Sequence, residues 1–145
     1  MSRDLAHSIK VVQALENAQY SATINGDIID AAGLESLTFI GSVGTNFTFT
    51  GSNYMTFTVQ SDTDSAGGTM AAIESNEYLA PQEDGAAWDR ILDAAGDEDS
   101  AFSIGVRITT DRYYRIVMTE TGTVTAADIG VVAMLGCPRS APVVA

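Results

Sequence analysis

The chain has 145 residues, with 19 acidic and 7 basic side chains and a formal net charge of −12. A chain of this length most readily forms one domain that buries about two-thirds of its unfolded surface, and the hydrophobic fraction of 46% excludes wholesale disorder. The charge argues against nucleic acid and membranes as partners, because duplexes and anionic lipid surfaces both attract proteins with excess cations.

The N-terminal segment favours extended structure. Residues 1–10 have no apolar stretch of the kind that makes a secretory signal. Residues 8–18 carry apolar side chains near helical spacing, but the β-branched Ile9, Val11 and Val12 favour a strand. We therefore predict that residues 1–20 form an N-terminal arm or a first strand.

Alternation of apolar and polar residues predicts half-buried strands in five segments further along the chain. Turn-forming residues separate most of these segments, and Asp111 and Arg112 predict a tight hairpin between the last two. Residues 86–95 place apolar side chains around Trp88 at helical spacing and are a helix candidate. The five predicted strands cover residues 37–43, 47–50, 55–60, 104–109 and 113–118.

The C-terminal part predicts a central strand followed by a tail. Residues 129–135 are continuously apolar, which is typical of a strand covered on both faces, and are far shorter than the roughly 20 residues that span a bilayer. Two of the three prolines follow, so residues 137–145 should form an extended tail that projects from the domain. Cys137 is the only cysteine, which rules out a disulfide within the chain.

Together these patterns predict an all-β fold: a single β-sandwich or jelly-roll-like domain with an extended N-terminal segment and C-terminal tail. We assign residues 1–20 to the arm or first strand, residues 21–136 to the sandwich and residues 137–145 to the tail. We expect the protein to be made in the cytoplasm and to need no cofactor.

Acidic residues are concentrated between Asp62 and Asp99, where eleven acids accompany one base, Arg90. Asp62 and Asp64 begin like a calcium-binding EF-hand loop, but position twelve of that loop is Ile73 instead of glutamate. A surface cation site at residues 97–99 is an alternative to a solvated acidic face, and we favour the solvated face. No metal site is predicted.

Catalysis is not predicted. His7 is the only histidine, and it lies in the N-terminal segment, which disfavours histidine-dependent triads and metal centres. The sequence contains neither a phosphate-binding loop nor a dinucleotide fingerprint. We therefore expect a protein that is not an enzyme and has no catalytic residues.

Exposed aromatic residues suggest a carbohydrate-binding platform as one alternative, with Tyr54, Trp88, Tyr113 and Tyr114 as candidates. The competing interpretation places one of the two adjacent tyrosines in the core and Trp88 over an open end of the sandwich. Buried aromatic residues are commoner than exposed platforms, so we favour the second interpretation.

The order of five segments resembles small virion proteins of tailed bacteriophages, of the head decoration or cement type. These segments are 33–39 (GLESLTF), 55–62 (MTFTVQSD), 87–89 (AWD), 112–117 (RYYRIV) and 135–142 (LGCPRSAP). The layout is also similar to discoidin-like galactose-binding modules, but the Pro-Arg-x-x-Pro ending favours the phage group. The resemblance covers about residues 28–142.

The resemblance implies a capsid-binding structural protein that reinforces the head, with a carbohydrate-binding module or a tail or neck component as alternatives. The implied partners are the major capsid protein and further copies of the chain, for which a trimer is natural around a symmetry axis. Because the charge of −12 disfavours contact with packaged DNA, we expect the outer surface of the head. The two terminal segments would then serve as attachment arms, with the acidic loops facing away from the partner. The predicted contact residues are Arg3, Asp4, Ile9, Arg139, Pro142, Val143 and Val144.

Overall fold

The computed structural model describes residues 9–79 and 89–138, and only the backbone of Cys137 and Pro138. In this part of the chain nearly all regular structure is β, apart from a 3₁₀ turn at Ser75–Glu77. No helix there is long and apolar enough to cross a membrane. The strands are β1 (Lys10–Tyr20), β2 (Ile24–Asn25), β3 (Ile29–Asp30), β4 (Leu34–Val43), β5 (Tyr54–Asp62), β6 (Ala71–Ala72), β7 (Arg90–Leu92), β8 (Ser100–Arg107), β9 (Tyr113–Thr121) and β10 (Ala127–Pro138).

The strands form two antiparallel sheets. Sheet A has the order β1-β10-β4-β8, and sheet B has the order β2-β9-β5-β6, with β3 also paired to β9 and β7 also paired to β5. β2 and β3 both pair with β9 and can be counted as one interrupted strand, and the same holds for β6 and β7, which both pair with β5. Counted in this way, sheet B has four strands, as sheet A does. The first and last strands are neighbours in sheet A, as in a jelly roll. The predicted β-sandwich is confirmed.

Alternation of side chains along the long strands builds the core between the sheets. Residues directed inward along β5, β8 and β9 are almost fully buried, and Phe57 of sheet B packs against Phe102 of sheet A with ring centroids 4.7 Å apart. Each buried aliphatic or aromatic side chain stabilises the fold by roughly 1.5–3 kcal/mol through removal of apolar surface from water. The pattern of period two that predicted these strands therefore also defines the core.

β10 is central, as predicted, but it is covered on one face only. Ile129, Val131, Ala133 and Leu135 point into the core, whereas Val132 retains 39% of its exposure on the other face. The prediction of a strand covered on both faces is therefore wrong. The continuous apolar run arises because the outward positions are also uncharged.

The predicted hairpin at Asp111 and Arg112 is wrong. β8 belongs to sheet A and β9 to sheet B, so residues 108–112 cross from one sheet to the other. The crossing is held by backbone hydrogen bonds, since the Ala31 amide donates to the Arg112 carbonyl at 2.9 Å and the Arg112 amide donates to the Asp62 carbonyl at 3.2 Å. Short polar links of this kind connect neighbouring strands of one sheet and also strands of different sheets, so the local sequence does not distinguish a hairpin from a crossing between sheets.

Two further local predictions fail within the described residues. The helix candidate at 86–95 contains β7, which pairs with β5 and buries Leu92 completely; residues 86–88 lie outside the described residues. The alternating segment 47–50 is not a strand: Phe49 is buried, but only Thr50 forms a bridge, to Asn53. Residues 90–92 form a strand because they pair with β5, whereas residues 47–50 do not form one because they have no partner strand.

The two terminal segments enter and leave the domain at the same end. Lys10 of β1 pairs with Leu135 of β10, and β10 continues to Pro138, which pairs with Leu34. Residues 10–20 are thus a paired first strand, which is one of the two alternatives predicted for residues 1–20, and residues 137–138 extend β10. We call this end of the sandwich, with residues 30–34 and 107–113, the terminal end.

Candidate interaction surface

The outward face of sheet A carries almost no charge. β4, β8 and β10 each contribute four outward positions across matched registers, and β1 contributes two. None of these positions is acidic, and one, Arg107 at the rim, is basic; the next outward position of β10 is Asp128, which pairs with Gln19 of β1 and places one acid at the opposite rim of the sheet. We call this surface the A face. In rows across the sheet it consists of Gly136, Ser36 and Arg107; Val11, Met134, Thr38 and Gly105; Gln13, Val132, Ile40 and Ser103; and Gly130, Ser42 and Ala101.

Large apolar side chains are exposed on the A face and at its edge. Val11 is 58% exposed and Val132 is 39% exposed, and Leu79, beside Gly105 of β8, is 55% exposed. Single exposed hydrophobic residues are ordinary, but a contiguous apolar patch marks an interaction surface. The A face therefore has the composition of a protein contact.

A shallow groove of about 460 Å³ lies in the A face. Ser42, Ala101 and Gly130 line its floor, Ile40 and Val132 line one side, and Gln13 and Asn17 of β1 border it at the edge. The small residues leave a depression next to the larger ones because they carry little or no side chain. The A face thus combines a raised apolar half with a recessed half.

The outward face of sheet B is different. Threonines occupy its middle, with Thr56, Thr58 and Thr119 on adjacent strands, and charged residues such as Arg115 and Asp62 lie towards its end. Polar hydroxyl groups are readily solvated and need no protein partner. This face has the features of a surface that stays in water.

The terminal end is organised by an ion pair between β3 and the crossing loop. The guanidinium of Arg112 donates from Nε and Nη2 to the two carboxylate oxygens of Asp30, at 2.8 and 2.6 Å. These hydrogen bonds lower the pKa of Asp30 below its usual value and raise the pKa of Arg112. The Arg112 guanidinium also lies 5.1 Å from the ring centroid of Tyr113.

Most predicted contact residues lie outside the described residues: this applies to Arg3, Asp4, Arg139, Pro142, Val143 and Val144. Ile9 is described and half-buried, and its Cγ2 lies 3.8 Å from the position that a Cβ on Gly136 would occupy. It therefore lies at the border of the A face, in the row of Gly136 and Ser36.

The acidic residues between Asp62 and Asp99 are divided between the two ends of the sandwich, so they do not form one surface. Asp62 pairs with Tyr113 at the terminal end. Asp99 lies at the opposite end, where its amide donates to the Gly44 carbonyl. A sandwich places successive loops at both ends, so one acidic stretch of sequence need not form one surface.

Several of these carboxylates close loops. Asp62 accepts from the Asp64 amide and from the Thr69 hydroxyl, and the Asp97 carboxylate accepts from the Asp93 amide and from Arg90. Within residues 9–79 and 89–138, no group of three or more potential ligand residues is placed to hold a metal ion. In these loops the carboxylates bind backbone amides and neighbouring side chains.

The adjacent tyrosines are divided as predicted. Tyr114 is fully buried and donates to the Asp111 carbonyl, whereas Tyr113 is half-buried on the outward side. The Arg112 guanidinium occupies part of the space over the Tyr113 ring. Tyr54 is half-buried, and Trp88 lies outside the described residues.

Sequence reasoning missed the A face. Its signal was present: the outward positions that form the A face contain glycine, serine, threonine, glutamine, apolar residues and one arginine, and no acid, in a chain with 19 acids. That pattern becomes visible only when the neighbouring strands are known, because the face combines residues from four distant segments.

Comparison with known proteins shows a shared fold. No family model matches the sequence, and a search of curated proteins gives no match. The solved structure of the SPBc2 prophage-derived protein YomS is similar, with a TM-score of 0.51 and 11% identity over 89% of this chain and 93% of that one. This likeness shows the fold alone.

Two further solved structures are less similar to this chain. Murine APRIL has a TM-score of 0.43 and 7% identity over 90% of this chain and 98% of that one. A structure of the infectious bursal disease virus Gt strain has a TM-score of 0.40 and 15% identity; the match covers 92% of this chain and 33% of that one.

Proposed function

We propose that the chain is a non-enzymatic structural protein of a tailed-phage particle, which binds the outer surface of the capsid and reinforces it. The order of sequence segments resembles decoration and cement proteins, and jelly rolls are common in viral capsid domains. The similar fold of a prophage-derived protein, YomS, is compatible with a phage origin. The proposed partner is the major capsid protein.

One observation carries the proposal: both terminal segments, which hold the predicted contact residues, start from the same end of the sandwich. β1 begins at Lys10, which pairs with Leu135 near the C-terminal end of β10, and β10 ends at Pro138. Two segments that start side by side can engage one partner together, and the second contact then forms at high effective concentration. Such attachment suits a protein that ties neighbouring capsid subunits together.

Charge supports an external position. Of the bases within the described residues, Lys10, Arg107 and Arg112 lie at the terminal end. Asp99 and Asp128 lie together around Gly44 at the opposite end. An orientation with the terminal end on the shell exposes Asp99 and Asp128 to solvent, and an external position keeps the net charge of −12 away from packaged DNA.

The test is binding of the purified full-length chain to expanded capsids of its phage that lack it. Co-sedimentation should saturate at a fixed number of copies for each capsid, and bound capsids should melt at a higher temperature than bare ones. Unexpanded capsids serve as the control for specificity. Absence of binding, or binding with no change in capsid melting, would refute the proposal.

A further inference from the structure

The exposed hydrophobic residues are not scattered evenly. Five large ones are exposed within the described residues, and Val11, Val132 and Leu79 lie on the A face or at its edge. Val132 occupies the middle of the face: it pairs with Gln13 on one side and with Ile40 on the other. An apolar centre with a polar rim is the usual anatomy of a protein interface.

The charge of the chain limits what can cover this face. Two copies that each carry a net charge of −12 repel one another over most of their surfaces. The A face differs from the rest of the surface, because it holds Arg107 and no acid, and the adjoining rim of sheet A adds only Asp128. Contact between two A faces therefore carries little electrostatic penalty.

The area is sufficient for such a contact. Four strands about 4.8 Å apart, each presenting about eight residues at about 3.3 Å, give a face of roughly 500 Å². Two faces together would bury roughly 1,000 Å², which is the lower limit for a specific interface.

The shape of the A face is complementary to a second copy of itself, because raised and recessed positions lie on opposite sides of Val132. On one side of Val132 lies the row with Val11 and Met134, and on the other side lie the recessed positions of Ser42 and Ala101, while Asn17 of β1 covers Gly130 in the same row. A two-fold axis near Val132 places the raised row of each copy over the recessed row of the other. An interface that uses the same patch on both copies closes after two subunits.

We infer that the A face binds a second copy of this chain in a two-fold pair, with Val132 next to the symmetry axis. The two A sheets then stack face to face at about 10 Å, as sheets do in a sandwich. The pair does not depend on capsid attachment, and it leaves the terminal end of each copy free. Failure of the pair and failure of the capsid proposal are therefore separate results.

The test is sedimentation velocity of the isolated full-length chain over a range of concentrations. Wild type should sediment as a monomer–dimer equilibrium. Val132→Glu should raise the dimer dissociation constant by at least about tenfold, since the pair would bury two unpaired carboxylates near the axis. Thr119→Glu adds the same charge to an exposed position of sheet B and should leave the dissociation constant unchanged.

A pair of variants with opposite charges at position 132 gives a second test. Val132→Lys alone should dissociate like Val132→Glu, and an equimolar mixture of the two should recover association, because opposite charges then meet at the axis. If circular dichroism shows that Val132→Glu does not fold, Val11→Lys on the edge strand replaces it with the same expectation. A monomeric wild type, an unchanged Val132→Glu, or an equal effect of Thr119→Glu would overturn the inference.

Discussion

Asp30 and Arg112 form a two-point ion pair between β3 and the loop that crosses from sheet A to sheet B, with distances of 2.8 and 2.6 Å. The same loop is held by backbone hydrogen bonds to Ala31 and Asp62. Side chain and backbone therefore fix the position at which the chain changes sheets. The pair gives the terminal end a defined shape, which the proposed attachment requires.

Replacement of Asp30 by asparagine should lower stability at neutral pH by a small amount, because both partners are about half exposed. The pKa of Asp30 is lowered in the folded state, so its contribution is present above the unfolded pKa and is lost as pH falls through the folded one. Urea denaturation should show a difference between wild type and Asp30→Asn at pH 7 that disappears in strong acid. The exposed Asp93→Asn is the control, and a difference that persists in acid would contradict the assignment.

Buried tyrosines predict a loss of stability in alkali. Burial raises the pKa of Tyr78 and Tyr114 to about 12, while an unfolded tyrosine titrates near 10. The folded state keeps these protons longer, so the free energy of unfolding should fall between about pH 10 and 12 and be unaffected below that range. Urea denaturation across this range, with phenolate absorbance, checks the effect.

The tyrosine prediction has internal controls. Tyr78→Phe should reduce the alkaline slope and cost about 0.5–1.5 kcal/mol, because its hydroxyl accepts from the Val59 amide and donates to Asp89. Tyr54→Phe, at a half-buried position, is the control for loss of a tyrosine hydroxyl as such. Ionisation of all five tyrosines together near pH 10 without unfolding would show that Tyr78 and Tyr114 are not buried as described.

Gly41 should not tolerate a side chain. A Cβ added there would collide with the ring of Phe102, which already packs against Phe57. We expect Gly41→Ala to lower the free energy of unfolding by about 1–3 kcal/mol. Gly51→Ala is the matched control, because a Cβ there meets no atom within 4 Å. Equal stability of the two variants in urea would contradict the packing of Phe102 over β4.

The bounds of β1 and β10 define clean truncations for the attachment proposal. Removal of residues 1–8 or 139–145 leaves both strands complete, whereas removal from Pro138 would shorten β10. Each truncation should keep the melting temperature of the isolated protein and weaken capsid binding by about tenfold or more, through loss of one of two linked contacts. Normal capsid binding by both truncations would show that the globular surface attaches instead.

Local pattern was enough to predict the fold class and several long strands, but not the way the strands are connected. The alternation in β5 and β9 was decisive because each strand buries one face for its whole length. The same alternation at Phe47 and Phe49 had no partner strand, and residues 90–92 took theirs from β5. Such outcomes depend on distant segments, which a single window of sequence does not contain.

The candidate surfaces were predictable to different degrees. The terminal segments were chosen from proline content and position, and only Ile9 among the predicted contacts falls within the described residues. The A face required the register, because Val11 and Val132 are neighbours of Met134 and Gln13 only once β1 pairs with β10. Its low charge is a property of the assembled sheet.

The most direct measurement of the central claim is a cryo-electron microscopy reconstruction of expanded capsids saturated with the full-length chain, compared with bare capsids. The account predicts added density on the outer surface of the head, with the end that carries Lys10 and Pro138 against the shell and the end that carries Gly44 and Asp99 towards solvent. Density on the inner wall, at the neck or tail, or in the reverse orientation would contradict it.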